Sequence, residues 1–297
     1  MRAHRSLAAA AVLAYSIASL VEASPRRAAP DRLSAAEQAL ASLCSRRPPP
    51  RPGEWLASHP EDGQTFEEFA LQSEYRNFER PFLYVQPVGR LSRAEDRVLR
   101  DVAEALTIFY GKPVRHLQPL ATDSFVWRDN PYTHQPQLST QSVLRRLGYE
   151  LPKDAQAVLA FTSADLWPGN DWNFVFGQAS FDAPVGVWSL HRFGDPDRDY
   201  QRVLERALKL ALHETGHMFG LRHCTAYQCG MSGTNNLAET DRSPMAFCPV
   251  CEHKLWWALR LDPAPRYDAL AKFAREHALP SQAALWQRAA QRVRSRN

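Results

Sequence analysis

One run constrains this 297-residue chain more than any other: His213-Glu214-Thr215-Gly216-His217-Met218-Phe219-Gly220-Leu221-Arg222-His223. Residues three and four apart lie above one another on a helix, so residues 201–219 place Val203, Ala207, Leu210, His213 and His217 on one face. Two imidazoles therefore extend an apolar stripe that faces a core, and Glu214 flanks them. Gly220 suits a left-handed helix end, where a side chain would be strained. That turn brings His223 round as a third imidazole. In a chain with 10 His and 13 Gly, HExxH arises by chance with a probability of roughly 0.02, and HExxHxxGxxH with one on the order of 10⁻⁵. A helix that merely buries satisfied histidines is the weak alternative.

Three neutral imidazoles and an open fourth position suit a catalytic zinc, which lowers the pKa of its bound water to ~7. Glu214 is then placed to take the proton from that water as it attacks a peptide carbonyl, and to pass it to the leaving amine. The zinc polarises the carbonyl and stabilises the oxyanion. The expected function is zinc-dependent hydrolysis of peptide bonds. The alternative is a non-catalytic two-zinc protein that binds a partner with the same fold, and the presence of Glu214 beside a full ligand set speaks against it.

Four of the five cysteines lie close behind the third histidine, as Cys224-x4-Cys229 and Cys248-Pro249-Val250-Cys251. Two pairs separated by a loop match a closed structural zinc site with four thiolate ligands. Two disulfides or a redox-active CxxC are the other readings. Five cysteines are too sparse for a disulfide-stapled scaffold. Cys44 has no partner left and is expected to be an inert or exposed single thiol. The net charge of +4 is mild, with few basic residues between the cysteines, which excludes a nucleic-acid module built on them.

Ahead of these motifs, residues 1–5 are basic, 7–21 are apolar and alanine-rich, and small residues follow, an order that fits a signal peptide over 1–23. A buried helix of the mature chain is the competing reading. The apolar run is shorter than the ~20 residues a bilayer span needs. Residues 24–53 are proline-rich and basic and read as a linker region, interrupted by a helical pattern over 33–43. Compact structure is expected to begin near Glu54. Strands are expected over 81–88, 114–120 and 155–162, helices over 92–110 and 141–147, and apolar runs over 173–181 and 185–193. A long helix starts near Tyr200, a loop-rich stretch runs to Pro249, and two or three helices close the chain. Strands and helices in this order predict an α+β (mixed α/β) fold with a mixed sheet and helices packed on it.

The residues His213 to Gly220, Cys224, Cys229-Gly230-Met231 and Cys248 to Cys251 resemble the signature of the archaemetzincins, metzincin-type zinc peptidases. The segments Glu54-Trp55-Leu56-Ala57-Ser58-His59-Pro60-Glu61 and Asp171-Trp172-Asn173-Phe174-Val175-Phe176-Gly177-Gln178-Ala179 extend the likeness, which spans about 54–255. The resemblance implies a metzincin-like catalytic domain with a twisted mixed sheet, an antiparallel edge strand over an active-site helix, and a helical C-terminal part. It implies two zinc ions, a catalytic one on His213, His217 and His223 and a structural one on Cys224, Cys229, Cys248 and Cys251. Met231 would be the methionine of the turn beneath the catalytic zinc, with Met245 its rival. Residues 185–193 would be the edge strand lining the cleft, with His191 and Arg192 facing either substrate or solvent.

The expected organisation is a signal peptide over 1–23, a linker over 24–53, the peptidase domain over 54–262 and a C-terminal helical extension over 263–297. The expected partner is a peptide or protein substrate, with no nucleic acid, no stable membrane span and a monomeric state. Export to a secreted or periplasmic location follows if residues 1–23 are a signal peptide. The family's intracellular habit makes the cytoplasm the alternative.

Overall fold

Every residue of Ala155–Thr162 is buried, as in a strand covered on both faces. The computed structural model describes residues 30–74, 76–169, 172–180 and 183–295. The expected signal peptide and the first part of the linker lie outside the described residues, as do Asp171 and Phe181 of the segments quoted above. In chain order, helices α1 (Pro30–Leu40), α2 (Trp55–Ser58) and α3 (Phe66–Ser73) precede β1 (Phe82–Val88), α4 (Arg93–Tyr110), β2 (Val114–His116), β3 (Trp127–Asp129) and β4 (Pro136–Ser139). Then come α5 (Thr140–Tyr149), β5 (Ala155–Thr162), β6 (Asp165–Trp167), β7 (Gly177–Ala179) and β8 (Val185–Ser189). Five helices close the described chain: α6 (Tyr200–Met218), α7 (Leu237–Arg242), α8 (Pro249–Leu259), α9 (Pro263–Glu276) and α10 (Pro280–Arg294).

The main sheet has the order β2-β1-β5-β8-β7, with β7 antiparallel to β8 and the other pairs parallel. A smaller sheet, β3-β4-β6, lies alongside. Successive strand residues face opposite sides. Leu83, Val85, Ala157, Leu159 and Phe161 join Val102, Leu106 and Leu208 in one core, which α4 and α6 cover. Tyr84, Val88, Val158, Ala160, Val185 and Val187 join Leu138, Val143 and Leu147 in a second core beneath α5. Each fully buried Val, Leu or Phe contributes about 1.5–3 kcal/mol.

Local signals fix the helix that matters most for the site. Asp199 caps α6 by accepting from the Arg202 amide, and Gly220 takes φ 94° just past its end. Helix α4, which packs on α6, starts in a capping box between Ser92 and Glu95 and ends at the left-handed Gly111.

The structure departs from expectation in several places. The edge strand is not 185–193. Val185–Ser189 lies between β5 and β7, and its five residues are all buried, as an apolar interior strand should be. The edge is the half-buried, glycine-containing β7. A Cβ on Gly177 would lie 2.0 Å from the Trp188 ring, so β7 can close over that indole only with glycine there. Strand 114–120 stops at His116, since Pro119 lacks the amide needed to continue the ladder, and Leu120 makes only an isolated bridge to Val88. Compact structure begins well before Glu54: Leu33, Ala36 and Leu40 of α1 enter the main core, against α8 and α10. Beyond α1, Arg46 bridges to Tyr227, and residues 48–53 run exposed over the surface. Among the described residues no helix is long and apolar enough to cross a membrane.

Candidate active site

The last turns of α6 present His213 and His217, and the turn after Gly220 brings His223 to them. Their ligand atoms lie within 4.8 Å of one another. His213 Nδ1 lies 2.8 Å from the Gly230 carbonyl oxygen, and His217 Nδ1 lies 2.7 Å from that of Leu221. A carbonyl only accepts, so each Nδ1 is the N–H donor and each Nε2 is left with a bare lone pair. The two Nε2 atoms face each other at 2.9 Å. Lone pairs that close repel unless a cation lies among them, and this donor set therefore fits a zinc ion. Burial, and second the neighbouring imidazoles, push both His213 and His217 down to about 4, so both rings are neutral near pH 7.

The third ring is held differently. His223 Nδ1 donates to the Glu61 carboxylate, 2.9 Å from either oxygen. Glu61 also accepts from Trp55 Nε1 at 3.0 Å, and the Trp55 ring stands edge-on to His223 at 5.2 Å. Desolvation raises the Glu61 carboxyl, but the bonds from His223 and Trp55 outweigh it and hold it below its usual value.

Glu214 sits between the two α6 histidines in sequence. Burial raises its carboxyl above the ordinary range, against the pull of His217 and His223. That is the direction a proton-accepting carboxylate needs if it is to hold a proton transiently. Met231 lies directly under α6: a Cβ on Gly216 would meet its Sδ at 2.5 Å. Met245 is buried as well, with its carbonyl oxygen against Gly230.

Behind the histidines, Cys224, Cys229, Cys248 and Cys251 are buried, unpaired by any disulfide, and have their sulfurs within 4.8 Å of one another. The Met231 and Cys248 amides donate to Cys229 Sγ at 3.4 and 3.1 Å. Hydrogen bonds from the other three thiols hold Cys224 far below its ordinary value. Cys229 is pushed up chiefly by burial, and Cys251 by its thiol neighbours. Four sulfurs gathered this closely without a disulfide fit a cation held among them, as in a structural zinc site.

Cys44 is not exposed. It is half-buried near Cys248 and Cys224, and burial first, then their charge, pushes its thiol up to about 12, which leaves it unreactive. Arg192 faces neither substrate nor solvent alone: it makes a two-bond pair with the buried Asp165 at 2.7 Å, while His191 is exposed. Two residues that residue-by-residue reading did not single out are Glu61 and Trp55. The signal was present, since both belong to the segment 54–61 quoted above.

The family model described as Peptidase family M54 matches residues 153–256. Archaemetzincin-2 of Homo sapiens is 34% identical over 260 residues, 75% of this chain and 72% of the human protein. The chain belongs to the archaemetzincins. An archaemetzincin of Thermococcus kodakarensis is 32% identical over 188 residues, 58% of this chain and 94% of its own length. The solved archaemetzincin of Methanopyrus kandleri superposes with a TM-score of 0.50 at 27% identity, over 63% of this chain and 99% of that one. This archaemetzincin is accordingly a zinc metallopeptidase with a metzincin-like mixed α/β fold.

Proposed function

We propose that this archaemetzincin hydrolyses peptide bonds with Glu214 as general base, and that it holds one zinc on His213, His217 and His223 and a second on the four buried cysteines. The observation that supports this most is the pair of bare Nε2 atoms 2.9 Å apart, with Glu214 next to His213 on the same helix turn. Bound zinc supplies Lewis acidity there, acidifying a water and polarising the scissile carbonyl. Glu214 takes the proton of the attacking water on a carboxylate oxygen and delivers it to the leaving amine. His213 and His217 keep their donor nitrogens on the Gly230 and Leu221 carbonyls, so they neither give nor take protons during turnover. Met231 forms the floor under Gly216, between the two α6 histidines. The free side of β7 can add an extended peptide as a further strand.

Glu214→Ala is expected to retain metal and lose about 10²–10⁴-fold in peptidase rate. A variant with full activity would overturn the assignment. Metal analysis giving two zincs per chain, with cleavage abolished by a chelator, is the companion result. The division into a peptidase domain over 54–262 with a helical extension over 263–297, a monomeric state and export directed by residues 1–23 belong to the same proposal. A reporter fused to residues 1–23 that stays in the cytoplasm would refute the last of these.

A further inference from the structure

We infer that Glu61, held by Trp55, is the positioning residue of the third metal ligand, so that the N-terminal strap 54–61 sets how tightly the three-histidine site keeps its zinc. The inference rests on the proposed assignment of that site as a zinc site.

The three imidazoles are not oriented by equivalent means. His213 and His217 stand on a rigid helix, and each gives its Nδ1 proton to a backbone carbonyl. Those acceptors come with the fold and no side-chain substitution removes them. His223 stands past the end of α6, and among the described residues its Nδ1 meets no backbone carbonyl. Its donor goes instead to a carboxylate more than 160 residues away in the chain, at 2.9 Å from both oxygens. An acceptor-only group on Nδ1 leaves Nε2 bare toward the other two rings, and its charge makes that nitrogen a stronger donor to a cation. The carboxylate thus does for His223 what helix geometry and backbone do for the other two.

Glu61 is itself anchored to the layer beneath the site. Trp55 Nε1 donates to Glu61 Oε1 at 3.0 Å, and the Trp55 backbone amide donates to Glu239, at 3.1 and 3.2 Å. Glu239 is buried and also accepts from the Asn235 amide at 2.8 Å. The Trp55 ring lies on Gly233, where a Cβ would come within 2.4 Å of it. A continuous set of contacts therefore runs from the segment just after Met231, through Trp55 and Glu61, to His223. An aromatic ring fixed on both sides leaves the carboxylate little freedom to turn away.

The experiment compares wild type, Glu61→Gln, Glu61→Ala and Trp55→Phe as full-length chains loaded with zinc. Release of metal to a chromophoric chelator is followed at fixed pH, and visible absorption is recorded after cobalt replaces zinc. Glu61→Gln keeps the shape and an acceptor oxygen but loses the charge, and is expected to release one zinc about 10–100-fold faster, with a shifted cobalt spectrum. Glu61→Ala should be faster still and Trp55→Phe intermediate, while the cysteine-bound metal stays in all of them. That retained metal shows the chain is folded. A purely structural role predicts a different pattern, loss of both metals together with an unchanged cobalt spectrum in the protein that stays folded, and that pattern overturns the inference. So does wild-type release in both Glu61 variants while His213→Ala removes a zinc. If His213→Ala removes none, the metal assignment itself falls and takes this inference with it.

Discussion

Arg266 and Glu252 form an ion pair at 2.9 Å with side chains only 4% and 0% exposed, joining α9 to α8 one residue after Cys251. Arg266 also donates Nε to the Phe109 carbonyl of α4 at 2.7 Å and lies over the Phe109 ring at 4.2 Å. Replacing it by Met keeps the apolar stem but strands a carboxylate in the interior, which costs about 3–5 kcal/mol. On a chain of this size each kcal/mol moves the melting temperature by about 2 °C, so Arg266→Met should melt roughly 6–10 °C lower. Because one oxygen of Glu252 and one nitrogen of Arg266 lack partners even in the pair, the pair is not ideally satisfied. The double variant Arg266→Met, Glu252→Leu should accordingly recover most of the loss. The pH dependence has a definite sign. Burial already raises the Glu252 carboxyl, and losing Arg266 raises it further. A raised folded value means the folded state is favoured while the group is protonated and loses stability as pH climbs toward that value. The deficit of Arg266→Met should therefore be smaller near pH 5 than near pH 8. Melting curves of the single and double variants at both values test this. A single variant within about 1 kcal/mol of wild type, or a double variant no better than the single, would refute the reasoning.

Cys251→Ser should remove the zinc proposed for the four cysteines and lower the melting temperature by more than any single surface change, because a structural zinc contributes directly to folding; metal content and calorimetry measured together check it. In β6, burial raises the Asp165 carboxyl but hydrogen bonds from Arg192 and Gln137 outweigh it and hold it below the ordinary carboxylate value. A lowered folded value gives stability that is present above the unfolded value and lost as pH falls through the folded one. Asp165→Asn should thus flatten the acid side of the stability profile and reduce stability at pH 7, as followed by melting between pH 2 and 7.

Much of the site was legible because its chemistry is local in sequence. Eleven consecutive residues specify two imidazoles on one helix face, the carboxylate beside them and the glycine turn that returns the third, and the helix period does the rest. The cysteine pairs were legible for the same reason. The buried β5 and the amphipathic α4 announced themselves by apolar run and by period. What failed was whatever depends on distant partners. The short strands β3, β4 and β6 have too few residues to show a period, and α1 looked like an isolated helix among linkers because its apolar face is matched by α8 and α10, which lie some two hundred residues later. The edge strand over 185–193 is what the family resemblance implies, and the strand that takes that edge, β7, has only three residues and shows no period of its own. Glu61 lies in a segment that the family likeness marks, but its role is not readable there, since it exists only when residue 223 is brought to it.

The contact of Glu37 with His253, at 2.6 Å across 216 residues, carries a consequence for how the chain is made. Helix α1 leaves the ribosome long before α8 and α10 exist, and at about 5–20 residues per second it waits roughly ten to forty seconds for them. Its apolar stripe of Leu33, Ala36 and Leu40 stays uncovered for that interval. Cys248 and Cys251 emerge at the same late moment, so the thiolate site closes in the same event that seats α1. If the four cysteines hold the proposed zinc, its capture and the docking of the earliest helix are timed together during synthesis, and a nascent chain starved of zinc would accumulate with both its first helix and its last ones exposed to chaperones.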